Sequence, residues 1–170
     1  MKRATPFTIL LAIALIGCQT VEKKGPESTS NVEKVVITYV DSCWNTGDFS
    51  ALDSIVGKGF VRNLNGLEVA NGPMELEAYI QNYIRAFPNL RITVNKFIEK
   101  DDKVILEWSF SGTNTGEFAE FIATGKKAIV NGVTLITFDS EGKMIQENTY
   151  YNELYLLQQL GFTLNPPNLK

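Results

Sequence analysis

The spacing of apolar side chains changes at Phe87-Pro88-Asn89-Leu90, and this restricts the possible folds more than any other feature. Upstream, Val32, Val35, Val36, Tyr39, Val40 and Cys43 recur every three or four residues, as do Leu76, Tyr79, Ile80, Tyr83 and Phe87. Each set is the stripe of a helix buried on one side. Downstream, Leu90, Ile92 and Val94 alternate, and Val104–Asn114, Lys127–Phe138 and Lys143–Tyr151 read as long strands. Helices first and strands second predict an α+β domain. Three N-terminal helices pack on a curved antiparallel sheet, because only that covers both apolar faces.

Local signals punctuate this order. Ser30-Asn31-Val32-Glu33 fits a capping box at the start of the first helix, and Gly47 is a left-handed stop. Asp48 caps a second helix to about Val56, and Gly57–Leu67 reads as a short strand and turn. Pro73 sits at the tolerated first position of the third helix. Glu99–Asp102 and Asp139–Gly142 are turns, and Leu154–Leu160 is a short closing helix with Gly161 past its end. The folded domain is expected over residues 31–163, with 164–170 a tail.

The N-terminus addresses the chain elsewhere. Lys2 and Arg3 precede an apolar run, Phe7–Ile16, about half the ~20 residues that span a bilayer. Leu15-Ile16-Gly17-Cys18 resembles the lipobox of bacterial lipoproteins. The resemblance implies a signal peptide over residues 1–17, acylation of Cys18 and a tether over 18–30. Export to a bacterial membrane follows, and Gln19, which is not Asp, favours the outer membrane.

Composition excludes several chemistries. Of 16 basic residues two lie in the signal, against 19 acidic ones, so there is no electrostatic footprint for nucleic acid. The chain has no histidine, which removes Ser-His-Asp triads, Cys-His dyads and every His-based metal site. With Cys18 acylated, Cys43 is the one remaining thiol, and on an apolar helical stripe it reads as a small buried hydrophobe.

Five segments occur in order: Phe87-Pro88-Asn89-Leu90, Gly112-Thr113-Asn114-Thr115-Gly116, Thr124-Gly125-Lys126, Gly142-Lys143-Met144-Ile145 and Leu157-Gln158-Gln159-Leu160-Gly161. Together they resemble the SnoaL-like polyketide cyclase (ester cyclase) family, whose fold is the NTF2-like cone. Trp44-Asn45-Thr46-Gly47-Asp48 is similar to the ending of helix one in NTF2-like proteins. The resemblance implies a cavity at the wide end of the cone. It also implies acid/base aldol chemistry by a pocket Asp without metal or cofactor, and dimerisation through the outer sheet face. This chain has Asn114 where relatives carry His, Asn152 where they carry the Asp, and Gln146 and Asn148 where they carry Glu and Trp.

Strand alternation then selects a pocket lining. If Asn114 faces inward, so do Trp108 and Phe110; if Asn152 does, so do Gln146, Asn148 and Tyr150. Glu107 and Glu147 fall on the opposite faces and read as solvated sheet charges. Trp44 and Asn45 suit either the pocket mouth or the core. Three functions stay open: a tethered binder of a small apolar, oxygenated ligand without the Asp-based chemistry; a cyclase with a relocated acid; and a protein-interaction adaptor.

Overall fold

The computed structural model describes residues 30–118 and 120–166. The signal peptide, Cys18, tether residues 19–29 and residues 167–170 lie outside the described residues. Helix α1 (Asn31–Thr38) begins as the capping box predicts, with the Glu33 N–H donating to Ser30 Oγ at 3.0 Å. It then widens into a π-helical segment, Tyr39–Trp44, closed by the Asn45 N–H on the Val40 carbonyl at 3.0 Å. The wider turn carries Tyr39, Val40, Cys43 and Trp44 all toward the interior. Gly47, at φ 70°, ends the segment.

The second helix is much shorter than Asp48–Val56. Asp48 does not cap it; its carboxylate accepts the Ser50 N–H at 2.9 Å in a local turn, and α2 spans only Leu52–Ile55. The next stretch is a full hairpin: β1 (Val56–Leu64) and β2 (Leu67–Asn71) joined by Asn65-Gly66, both at positive φ. There follow α3 (Gly72–Ala86), β3 (Arg91–Lys100), β4 (Lys103–Thr113), β5 (Lys127–Phe138), β6 (Met144–Tyr151) and α4 (Glu153–Leu160).

The six strands form one sheet in the order β2-β1-β6-β5-β4-β3. It is mixed: β1 runs parallel to β6, while the other neighbours are antiparallel. Bulges at Asn95 in β3 and at Ile145 in β6 break the register and curve the sheet over the helices. Two apolar clusters result. One joins the first helix, α3 and the sheet around Tyr39, Phe60, Leu76 and Ile136; the other gathers Phe87, Phe110, Val130, Leu156 and Leu160 under α4. No helix among the described residues is long and apolar enough to cross a membrane.

Candidate functional site

A cavity of about 60 Å3 lies where the two clusters meet, walled by apolar residues of both, such as Val40, Leu106, Phe110 and Leu156. Its polar atoms come from five elements: the first helix, β1, α3, β4 and β6. Arg62 on β1 and Glu147 on β6 are direct cross-strand partners, 4% and 3% exposed, and form an ion pair. Two charges taken out of water cost several kcal/mol each, so such a pair holds only when its remaining atoms are also satisfied.

Glu147 meets that requirement. One carboxylate oxygen accepts from Arg62 and from the Thr149 hydroxyl at 3.1 Å; the other accepts the Tyr39 hydroxyl at 2.7 Å. Behind Thr149 the bonds run one way: the Trp108 indole N–H donates to Thr134 at 2.9 Å, and Thr134 and Thr149 share a bond of 2.9 Å. Thr149 spends its hydroxyl hydrogen on Glu147, so Thr134 is the donor to Thr149. Arg62 meets it only in part. Its guanidinium stacks on Trp44 and Tyr79, 5.2 and 4.9 Å from the ring centroids, yet its Nε–H is buried without an acceptor.

Three tyrosines extend the polar lining. Tyr79 donates to the Tyr83 hydroxyl at 3.3 Å, and Tyr83 and Tyr151 share a bond of 2.9 Å. Burial pushes the ionisation of Tyr83 and Tyr151 upward, and that of Tyr39 as well, where the Glu147 charge adds to it. All three remain neutral donors far into alkaline solution. Among the described residues no cluster of three or more Cys, Asp or Glu could hold a metal ion.

The sequence-derived lining divides sharply. Trp108 and Phe110 line the cavity. Gln146 and Tyr150 are exposed, and Asn148 accepts a bond from Asn63 at 2.9 Å. The inward faces belong to Glu147, Thr149 and Tyr151 instead. The bulge is the cause: Ile145 is an extra residue between the pairs Phe138–Met144 and Thr137–Gln146, so alternation inverts after the buried Met144. Asn152 lies past the strand and caps α4, accepting the Tyr155 N–H at 2.9 Å. Glu107 is exposed beside Lys96, as expected; the solvated reading of Glu147 is corrected by its burial.

Asn114 is buried but serves the backbone rather than the cavity. Its amide donates to the Ala86 and Gly116 carbonyls at 3.1 and 2.8 Å, and its oxygen accepts the Thr124 N–H and hydroxyl at 2.8 and 3.0 Å. Asn89 bonds Thr113 twice in the same corner, and Gly116 lies so close to Arg85 that a Cβ would sit 1.9 Å from its carbonyl oxygen. On the far side Gln159 completes the backbone of Ile129 with two bonds of 2.9 Å. These segments stitch the end of α3 to the sheet and seat α4 on it.

That scaffold is recognisable in other proteins. The model of the SnoaL-like polyketide cyclases matches residues 34–160. The chain belongs to this family. Several solved structures share its fold at low identity. A protein of a Jannaschia species, assigned to the SnoaL-like polyketide cyclases, is 21% identical with TM-score 0.70, over 80% of this chain and 93% of that one. AclR of Streptomyces galilaeus, assigned as a hydroxylase, is 24% identical with TM-score 0.69, over 82% and 87%. A Catenulispora acidiphila protein of ketosteroid isomerase-like fold, in complex with trimethylamine, is 18% identical with TM-score 0.64, over 78% and 98%. A search of curated proteins finds no match.

Sequence reasoning missed Tyr39, Arg62, Glu147, Thr149 and Tyr151 as cavity residues. One signal was available. An Arg and a Glu interrupt otherwise apolar or Thr-rich strand faces at Phe60-Arg62-Leu64 and Glu147-Thr149, on strands whose pairing the sequence leaves open.

Proposed function

We propose that the chain is an exported, lipid-tethered SnoaL-like domain that takes one end of a small apolar, oxygenated molecule into its cone. The observation that carries this reading is the Arg62–Glu147 pair in the wall of an apolar cavity, with the Arg62 Nε–H left without an acceptor. A buried donor without a partner costs about 1–3 kcal/mol, which a ligand oxygen would recover. Catalytic silence no longer follows from Asn114 and Asn152, since neither amide serves the cavity.

Native mass spectrometry of the full chain with small ketones, esters, alcohols and hydrocarbons tests the binding. Adducts are expected in the wild type and absent in Val130→Phe, which fills the cavity. Adducts retained by a folded Val130→Phe would refute the assignment to the cone. For the tether, Cys18→Ser is expected to abolish palmitate labelling and release the protein from membranes. Gln19 after Cys18 supports the outer membrane as destination.

A second reading is favoured by one specific observation: a carboxylate, Glu147, reaches the cavity. It could take a proton from a carbon next to a carbonyl that Arg62 polarises. Both of its oxygens already accept bonds, so a substrate proton must displace Arg62, Tyr39 or Thr149. Turnover of an ester or polyketide-like substrate, lost in Glu147→Gln with binding retained, would establish this reading over the first.

A further inference from the structure

The cavity has a neighbour. A groove of about 480 Å3 opens between α3, the β1–β2 hairpin and the loop after β4, and Tyr79 and Tyr83 belong to the walls of both spaces. The inner space alone is small: an apolar cavity of about 150 Å3 takes one benzene, so 60 Å3 takes only about two or three non-hydrogen atoms. The outer one is of ordinary ligand size; Leu64, Val69 and Phe118 give it apolar surface, and Arg85, Glu117, Glu120 and Glu153 bring charge to it. A molecule using both would put only its tip inside.

The inner space selects that tip by its hydrogen-bond balance. Arg62 Nε–H has no acceptor. Tyr79, Tyr83 and Tyr151 bring three hydroxyl hydrogens to two mutual bonds. Tyr79 spends its own on Tyr83, so one hydrogen is left over on Tyr83 or Tyr151, both of which line the cavity. The strong acceptor, Glu147, is already engaged by Arg62, Thr149 and Tyr39. Donors are therefore in surplus, and the two opposite charges cancel. An oxygen that accepts without donating fits this balance. A hydroxyl would bring a hydrogen with no strong acceptor left for it, and an anion would lack net charge compensation.

Resting on the binding reading above, we propose that the site is divided, with the inner cavity reading an uncharged carbonyl, a ketone or ester, at the tip of a molecule whose apolar body lies against Leu64, Val69 and Phe118 of the outer groove, past Tyr79 and Tyr83. The chain supplies its own reporter, since both of its tryptophans, Trp44 and Trp108, line the inner cavity.

The test is titration of the full chain with 2-octanone, 2-octanol and octane, followed by tryptophan fluorescence. The ketone is expected to perturb the tryptophans and to bind at least tenfold tighter than the alcohol or the alkane. Arg62→Lys keeps a positive charge opposite Glu147 but removes the unpartnered Nε–H, and should weaken ketone binding about threefold or more, with the alkane unchanged. Equal binding of all probes to the wild type overturns this inference and leaves the cone as a binding site. No response to any probe overturns both. A ketone preference that persists in full in folded Arg62→Lys also overturns the inference; if that variant does not fold, the wild-type comparison of ketone, alcohol and alkane decides it.

Discussion

Arg62 on β1 and Glu147 on β6 face each other across a parallel strand pair, their side chains only 5% and 4% exposed. Removing one partner leaves a charge uncompensated in the interior. Glu147→Ala is expected to cost about 3–5 kcal/mol of folding stability, while Arg62→Met with Glu147→Met costs less than either single change. Urea denaturation of the four-member cycle measures the difference. A double variant as unstable as the sum of the singles would show that the two charges do not act together.

The two asparagines part ways on substitution. Asn114→Leu loses four hydrogen bonds in a buried corner and should destabilise the domain by about 2–4 kcal/mol. Asn152→Leu loses only a helix cap, about 1 kcal/mol. Denaturation midpoints distinguish them. Neither residue touches the cavity, so ligand affinity of folded Asn152→Leu should equal the wild type.

Alkaline stability follows from the tyrosines. Burial holds Tyr39, Tyr83 and Tyr151 protonated in the folded chain above the ordinary value of 10.0, at which they ionise once unfolded. A folded-state pKa raised in this way leaves stability unaffected below pH 10. Above it the unfolded chain releases protons that the folded chain keeps, and stability falls as pH rises. The slope is up to about 1.4 kcal/mol per pH unit for each tyrosine. Urea midpoints between pH 8 and 11.5 should stay level and then drop, and Tyr83→Phe should make the drop shallower.

Gly132 lies directly across from Trp108, and a Cβ there would stand 2.2 Å from the indole ring. Gly132→Ala must therefore push the ring from its place and break its bond to Thr134, at a cost of about 1–3 kcal/mol. A shifted tryptophan emission with folding retained is the expected result. An unchanged spectrum would mean that the ring is not held where the hydrogen bond puts it.

Cys43 is fully buried, and burial pushes its thiol up to about 11. At pH 8 it is protonated and shielded, so thiol reagents should label it only through unfolding. Labelling that accelerates in step with urea denaturation is the expected signature.

Much of the architecture could be read along the chain. The change of period at Phe87–Leu90 marks the passage from α3 to β3, Ser30 caps α1, and Gly47 and Gly161 stop their helices at positive φ. These are local events, decided by neighbours a few residues away, and local chemistry writes them into the sequence. The family segments were legible for the same reason, although their work proved to be stitching the scaffold.

The polar centre was decided elsewhere. A single extra residue, Ile145, turns β6 over, bringing Glu147, Thr149 and Tyr151 inside and Gln146 and Tyr150 out. A π-helical turn in the first helix similarly brings Tyr39 and Trp44 onto one wall. Neither device changes the composition or average spacing of its segment. A charged residue on a half-polar strand is stable on the surface or beside an opposite charge, and only the pairing of β1 with β6 sets Arg62 against Glu147. The sequence by itself determined the order of the long helices and strands and most of their ends, though not the short α2 or the β1–β2 hairpin. Tertiary structure decided which face of each meets the cavity, because that depends on partners more than eighty residues apart in the chain.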